Sequence, residues 1–122
     1  MREAVIVSTA RTPIGKAYRG TLSDISGPHL AAHALTAALD RAGATGGEID
    51  DVILGCAMQE GTTGYNVARQ AALRAGLPAT MPGMTVDRQC GSGLMASTAH
   101  KTPGWPVTAD QFTSRCSTPP RT

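Results

Sequence analysis

Aromatic side chains are nearly absent from this chain: they make up 3% of its 122 residues, with one Trp and one Phe. Any core must therefore be built from Ala, Val, Ile, Leu and Met. The length suits one domain with a modest core. Charged residues reach only 16% and apolar residues 41%. That balance is typical of a soluble globular protein and excludes a disordered, highly charged chain.

Long hydrophobic runs and charge excess are also lacking. No apolar run approaches the length that a bilayer requires, and the short run at residues 4–8 is too short for a signal peptide core. We therefore expect no membrane partner and a cytoplasmic location. Residues 1–100 contain eight Lys/Arg and eight Asp/Glu, so the net charge of +2 comes from residues 101–122. Because no basic stripe with interleaved aromatics exists, we expect no nucleic-acid partner.

The chain has only three cysteines, Cys56, Cys90 and Cys116. They form no CxxC pair, and an odd number cannot pair completely, so the sequence does not favour a disulfide framework. The spacing fits no zinc pattern, and we predict no metal site. Cys56 ends an apolar run and is interpreted as a small buried residue.

Residues 4–100 alternate between strand-like and helix-like segments. The sequence predicts helices from Pro28 to Ala42, from Asn66 to Ala75, and from near Gly91 onward. It predicts strands at 4–8 (AVIVS), 52–56 (VILGC) and 84–86 (MTV). The first two are continuous apolar runs, typical of strands buried on both faces. This alternation predicts an α/β layered fold with a mainly parallel sheet, incomplete, with three strands and about three helices.

The composition changes abruptly at Lys101. Residues 101–122 contain four of the eight prolines and seven Ser/Thr. Pro103 and Pro106 would end the third helix and leave the sheet with no strand after it. We predict a domain over 1–100 and an unrelated segment over 101–122. Two interpretations of that segment remain open: an interrupted reading frame, or a native, disordered tail.

The most informative segment is Cys90 and its surroundings. The thiol follows a predicted strand and precedes a small-residue segment that can begin a helix. Unpaired N–H groups and partial positive charge at a helix start favour a thiolate, the reactive form of cysteine. Gly91 and Gly93 would let a substrate approach the backbone closely. The sequence therefore predicts Cys90 as a nucleophile, with Gly91 and Gly93 as substrate-binding residues.

Three segments together resemble the thiolase family: 11–15 (RTPIG), 66–73 (NVARQAAL) and 88–94 (RQCGSGL). The resemblance covers residues 1 to about 100. It implies acyl transfer between coenzyme A thioesters through an acyl-Cys90 intermediate, with the Cys90 N–H as a donor to the oxyanion. It also implies that an acyl-CoA is the substrate, that no metal or redox cofactor is bound, and that the parent protein is a homodimer or homotetramer.

The rest of the family's site has no counterpart in the printed sequence. The family takes a His from a Gly-His-Pro motif and a second Cys from a Cys-x-Gly-Gly motif, and neither motif occurs here. Cys116 precedes Ser117 and is not given that role. The resemblance thus implies a truncated fragment with little or no activity of its own. Asp87 stands where many members have Asn, and pairing with Arg88 or Arg69 would offset its charge.

Other interpretations remain beside this one. Residues 91–96 (GSGLMA) match a dinucleotide fingerprint, which would make the chain a nicotinamide-dependent oxidoreductase, but residues 111–118 lack the required acidic residue. An inactive structural remnant is the third hypothesis. His29 and His33 have the spacing of a helical metal pair but no third ligand, so we interpret them as surface residues. Arg69 is predicted to form a structural ion pair or a hydrogen bond to a neighbouring loop rather than to bind a substrate.

Overall fold

The computed structural model describes residues 5–99 and 108–109. These residues form three α-helices and one parallel sheet with the strand order β2-β1-β3. The helices are α1 (Gly27–Ala42), α2 (Val67–Arg74) and α3 (Ser92–Thr98), and the strands are β1 (Val52–Gly55), β2 (Gly83–Val86) and β3 (Thr108–Ala109). The predicted α/β class with a parallel sheet is confirmed.

Helix α1 begins and ends where the sequence signals place it. Pro28 lies in its first turn, where its missing N–H breaks no helical bond. The helix ends at Gly43, whose left-handed φ of 64° suits a residue without Cβ. One face of the helix is exposed and the opposite face is largely buried. The exposed residues are His29, His33, Thr36 and Asp40.

Strand β1 lies in the middle of the layers. All four of its residues are buried. Val52, Leu54 and Cys56 alternate along the chain and join one apolar cluster with α1 and α2. Gly55 points to the other face, where a Cβ would lie 2.2 Å from the carbonyl carbon of Ser92 in α3. Helix α3 therefore covers the face of β1 opposite to α1 and α2.

The core is aliphatic, as the scarcity of aromatics predicts. One cluster joins α1, β1, α2 and the segment after α2. Small side chains on the two facing helices allow them to approach closely. The cluster consists of Ala31, Leu35, Leu39, Val52, Leu54, Cys56, Val67, Ala68, Ala71, Ala72, Leu77 and Met81.

The predicted strand at residues 4–8 is wrong over the residues that the structure describes. Residues 5–8 form no strand, and Val5, Ile6 and Val7 are 74%, 86% and 70% exposed. Just beyond them, the Thr9 carbonyl accepts a hydrogen bond from Arg41 Nη1 at the end of α1 (2.6 Å). A strand of a sheet needs a neighbouring edge with which its N–H and C=O groups can pair. In this structure the second edge of β1 pairs with β3 instead.

The expectation that no strand follows the third helix is also wrong. Thr108 and Ala109 pair in parallel with Val52 and Ile53. A parallel return needs a crossover, and α3 lies within the connection that carries the chain from β2 to the far side of β1. The remaining residues of the predicted tail lie outside the described residues, so the boundary at residue 100 stays a prediction. Among the helices that the structure describes, none has both the length and the hydropathy of a membrane-spanning segment.

Candidate active site

A five-residue turn, residues 87–91, connects the end of β2 to the start of α3. The N–H of Cys56 donates to Val86 O (2.9 Å), so the pairing of β1 with β2 continues to the carboxyl ends of both strands. The Gly91 N–H donates within the turn to Arg88 O (2.8 Å) and Gln89 O (2.7 Å). Gly91 is then the N-cap of α3. The predicted strand–Cys–helix layout is thus present.

Cys90 adopts a left-handed backbone conformation, with a φ of 59°. A non-glycine residue in this region costs about 1–3 kcal/mol and needs support from its surroundings. The thiol is free and its residue is exposed. Its backbone N–H finds no acceptor among the described residues. The turn therefore presents a reachable sulfur atom beside an N–H group that is available to a ligand.

The Asp87 carboxylate is directed at Gln89. The sequence alone does not show where this side chain points. Asp87 Oδ1 accepts from the Gln89 N–H (3.1 Å). Gln89 Nε2 donates to Oδ1 (3.3 Å) and to Oδ2 (3.2 Å). The same nitrogen also donates to Ala57 O, just beyond β1 (3.1 Å). The carboxylate is thus bonded by amide groups, rather than paired with Arg88 or Arg69.

The start of α3 is packed tightly on β1. Ser92 is buried, and its Oγ accepts a hydrogen bond from the Arg88 N–H (3.0 Å). Gly93 is also buried, and its backbone N lies 2.4 Å from where a Cβ on Gly55 would be placed. Of the two glycines predicted to bind substrate, Gly93 lies against the strand, while Gly91 is half-buried at the turn. Their role toward a substrate stays a prediction.

Cys56 and Arg69 have the structural roles that the sequence predicts. Cys56 is buried and its thiol donates to Met58 O (3.3 Å). The Arg69 guanidinium donates from Nη1 to Met81 O and from Nη2 to Ala79 O. It therefore fastens the loop between α2 and β2, as a planar fork of donors is suited to do.

The two α1 histidines lie in a shallow surface depression of about 200 Å³, together with Ala32, Thr36 and Arg74. A guanidinium in the same depression opposes the binding of a cation. Over the described part of the chain, no group of three or more His, Cys, Asp or Glu could hold a metal ion. The interpretation of His29 and His33 as exposed surface residues agrees with this geometry.

The geometry removes one of the backbone contacts that the dinucleotide interpretation needs. Such a fingerprint uses backbone N–H groups of the glycine turn to approach a pyrophosphate. The Gly91 N–H is already bonded within the turn.

Cys116, which the sequence excludes from the site, lies outside the described residues.

Gln89 is the site residue that sequence reasoning missed. Asp87 followed two positions later by a residue with an N–H is the pattern of an Asx turn, which predicts the backbone bond to Gln89. The contact from the Gln89 side chain to Ala57 spans 32 positions. No local pattern predicts a contact of that range.

Taken together, the parallel sheet, the two helical layers and the exposed cysteine at a strand-to-helix turn define an α/β protein with a candidate cysteine nucleophile. The family profile described as "Thiolase, N-terminal domain" matches residues 4–101. The chain therefore belongs to the thiolase family, an acyltransferase family, as the three sequence motifs predict.

Individual relatives agree with the profile. The chain is 50% identical over 96 residues to a 3-ketoacyl-CoA thiolase of Bacillus subtilis, covering 79% of this chain and 25% of that protein. It is 49% identical to an acetyl-CoA acetyltransferase of Cupriavidus necator (79% and 24%). It is 53% identical to the 3-oxoadipyl-CoA/3-oxo-5,6-dehydrosuberyl-CoA thiolase of Escherichia coli (79% and 24%). The chain thus spans about a quarter of the length of these relatives.

Proposed function

We propose that this chain supplies the acyl-accepting half of a thiolase-type acyltransferase, with Cys90 as the nucleophile. The observation that carries the proposal is the exposed Cys90 in its left-handed turn at the start of α3. Relatives named 3-ketoacyl-CoA thiolase and acetyl-CoA acetyltransferase support an acyl-CoA as the substrate.

The chemistry is one thioester exchange. The Cys90 sulfur, as thiolate, attacks the thioester carbonyl of the acyl-CoA, and the C–S bond to coenzyme A breaks. The products are acyl-Cys90 and the coenzyme A thiolate, so the step is close to balanced in energy and reversible. The Cys90 N–H donates to the oxygen that becomes negative during attack. A donor of this kind is worth about 2.7–4 kcal/mol of barrier.

The second half of a thiolase reaction needs an acid and a base. Family members supply these from Gly-His-Pro and Cys-x-Gly-Gly motifs, which do not occur in the printed sequence. On this proposal the 122 residues alone stop at the acyl-enzyme and do not turn over. The step needs no bound metal or redox cofactor, because coenzyme A enters and leaves as part of the substrates.

Partners and location follow as parts of the same proposal. Leu94 and Met95 of α3 are 65% and 45% exposed. They offer apolar surface next to the nucleophile turn for a homodimer or homotetramer of the whole protein. The free thiols of Cys56 and Cys90 suit the reducing conditions of the cytoplasm.

The test is a single-turnover acetylation. The full chain is incubated with acetyl-CoA, the released coenzyme A thiol is titrated, and the acetylated peptide is located by mass spectrometry. We expect release of at most one equivalent, with the acetyl group on Cys90. Cys90→Ala should abolish the adduct, while Cys116→Ala should keep it.

Two outcomes would contradict the proposal. Acetylation of Cys116 at the same rate as Cys90 would show ordinary thiol chemistry rather than a prepared nucleophile. A folded chain that takes no acetyl group would favour the inactive structural remnant.

A further inference from the structure

The Gln89 side-chain amide joins the ends of two neighbouring strands. Its Nε2 donates to Ala57 O, just past β1 (3.1 Å), and to both oxygens of Asp87, just past β2. The other side-chain hydrogen bonds of the described residues 87–92 stay within that segment. The Gln89–Ala57 bond is therefore the one that ties the turn to the neighbouring strand end.

The next residue after Gln89 is Cys90, with its unfavourable left-handed backbone. Such a conformation persists only when neighbouring contacts over-determine it. On the α3 side, the turn is held by the Gly91 N–H and by the bond from Arg88 N–H to Ser92 Oγ. On the other side, the contacts of Asp87 and Gln89 hold it. Cys90 lies between these two sets of bonds.

We propose that Gln89 is a positioning residue for Cys90, because its amide ties the nucleophile turn to the Ala57 carbonyl and to the Asp87 carboxylate. Through these bonds it keeps Cys90 left-handed, so that the thiol stays exposed and the Cys90 N–H points to one fixed place. The proposal rests on the function proposed above and deepens it. Gln89 touches no reacting atom, so it acts only through Cys90.

Asp87 is the matched partner of Gln89. A carboxylate has two accepting oxygens and no donor. Both oxygens face donors here, from the Gln89 side chain and its backbone N–H. An Asn with its oxygen in place of Oδ1 would keep the contacts of that oxygen, but its NH₂ group in place of Oδ2 would face Gln89 Nε2 and lose that one contact. Asp87 thus provides Gln89 with one more accepting oxygen than an Asn would.

The first arm of the test measures the Cys90 backbone in the full chain by nuclear magnetic resonance. The three-bond HN–Hα coupling and the ¹³C shifts of Cys90 report its φ. Gln89→Met keeps the length of the side chain but removes its donors, and Gln59→Met, an exposed glutamine, is the matched control. We expect a positive φ in the wild type and in the control, and a mixture that includes negative φ in Gln89→Met. A positive φ that persists unmixed in Gln89→Met overturns the proposal.

The second arm compares two reactions of the same thiol. Acetyl-CoA needs both the sulfur and the correctly placed N–H, whereas iodoacetamide needs only the sulfur. For Gln89→Met we expect the acetylation rate to fall at least about tenfold, within the hundredfold that a misplacement of 1 Å can cost. The alkylation rate should change by less than about threefold, because an exposed thiol needs no placed N–H for that reaction.

A rescue variant separates positioning from general damage to the fold. Gln89→Lys can still donate both to Ala57 O and to Asp87, so its acetylation-to-alkylation ratio should stay near that of the wild type. A ratio as low as that of Gln89→Met would overturn the proposal. If the wild type takes no acetyl group at all, the proposed function fails, and the first arm alone still decides whether Gln89 positions Cys90.

Discussion

Individual side chains hold loops of this protein by bonding backbone carbonyls far along the chain. Arg69 bonds Met81 and Ala79, and Gln89 bonds Ala57. Both donors are planar groups with several N–H bonds in fixed directions, so each one can join two acceptors at once. At the scale of single residues, the shape of the candidate site depends on these few donors.

Replacement of Arg69 by Met should destabilise the protein by about 2 kcal/mol, because two carbonyls of the loop before β2 lose a charged donor. The measurement is the free energy of unfolding in urea, followed by far-ultraviolet circular dichroism. The matched control is Arg74→Met, an exposed residue at the end of the same helix. It should cost less than about 0.5 kcal/mol. Equal costs for the two variants would contradict the loop-holding role of Arg69.

At the scale of elements, local signals predict most of the boundaries. Helix α1 needs only Pro28 and Gly43 for its two ends, and the predicted bounds of α2 differ from the observed ones by one residue. These signals are local, because proline is unfavourable inside a helix and glycine readily adopts the left-handed conformation that ends one. Local signals do not predict which elements pack against each other. The apolar residues at 5–7 indicate that this segment could be buried. They do not indicate which edge of the sheet is free to pair with it.

The same limit explains the two features that the sequence does not predict. Strand β3 has two residues, so it carries no period from which a strand could be recognised. The position of Gln89 against Ala57 depends on how β1 and β2 end side by side, which is a property of the assembled sheet. The identity of Cys90 as a candidate needs only the local motif, whereas the bonds that hold it need the fold.

The contact between α3 and β1 provides a sharp test at this scale. Replacement of Gly55 by Ala would place a Cβ 2.2–2.4 Å from backbone atoms of Ser92 and Gly93. The helix must then move away, and we expect a cost of about 3 kcal/mol, at the upper end for overpacking. Because Cys90 lies only two residues before this helix, the acetylation of Cys90 should also slow.

The control for this variant is Gly47→Ala. A Cβ at Gly47 meets nothing within 4 Å, and its φ is not in the left-handed region. It should leave the free energy of unfolding unchanged or raise it by up to about 1 kcal/mol, because Ala has fewer unfolded conformations to lose than Gly. If Gly55→Ala is tolerated equally well, the close packing of α3 on β1 is not present in solution.

At the scale of the whole molecule, the buried apolar residues of the described ranges lie between Pro28 and Ala96. The large apolar side chains of residues 5–7 contribute little to this core, although this segment is an apolar run like β1. Two apolar runs of similar composition thus differ in burial. Strand β1 lies in the sheet with helices on both faces, whereas residues 5–7 are exposed.

One pair of matched substitutions distinguishes the observed core from the one that the sequence alone predicts. Ile6 is 86% exposed and Ile53 is 1% exposed. Ile53→Thr removes buried apolar surface and buries a hydroxyl, so we expect a cost of about 2–4 kcal/mol in urea unfolding. Ile6→Thr should cost less than about 0.5 kcal/mol, because its side chain is already in water. If residues 4–8 formed a buried strand in solution, Ile6→Thr would cost as much as Ile53→Thr. Equal costs would thus place the amino-terminal run inside the sheet, whereas a large difference would confirm that it lies outside.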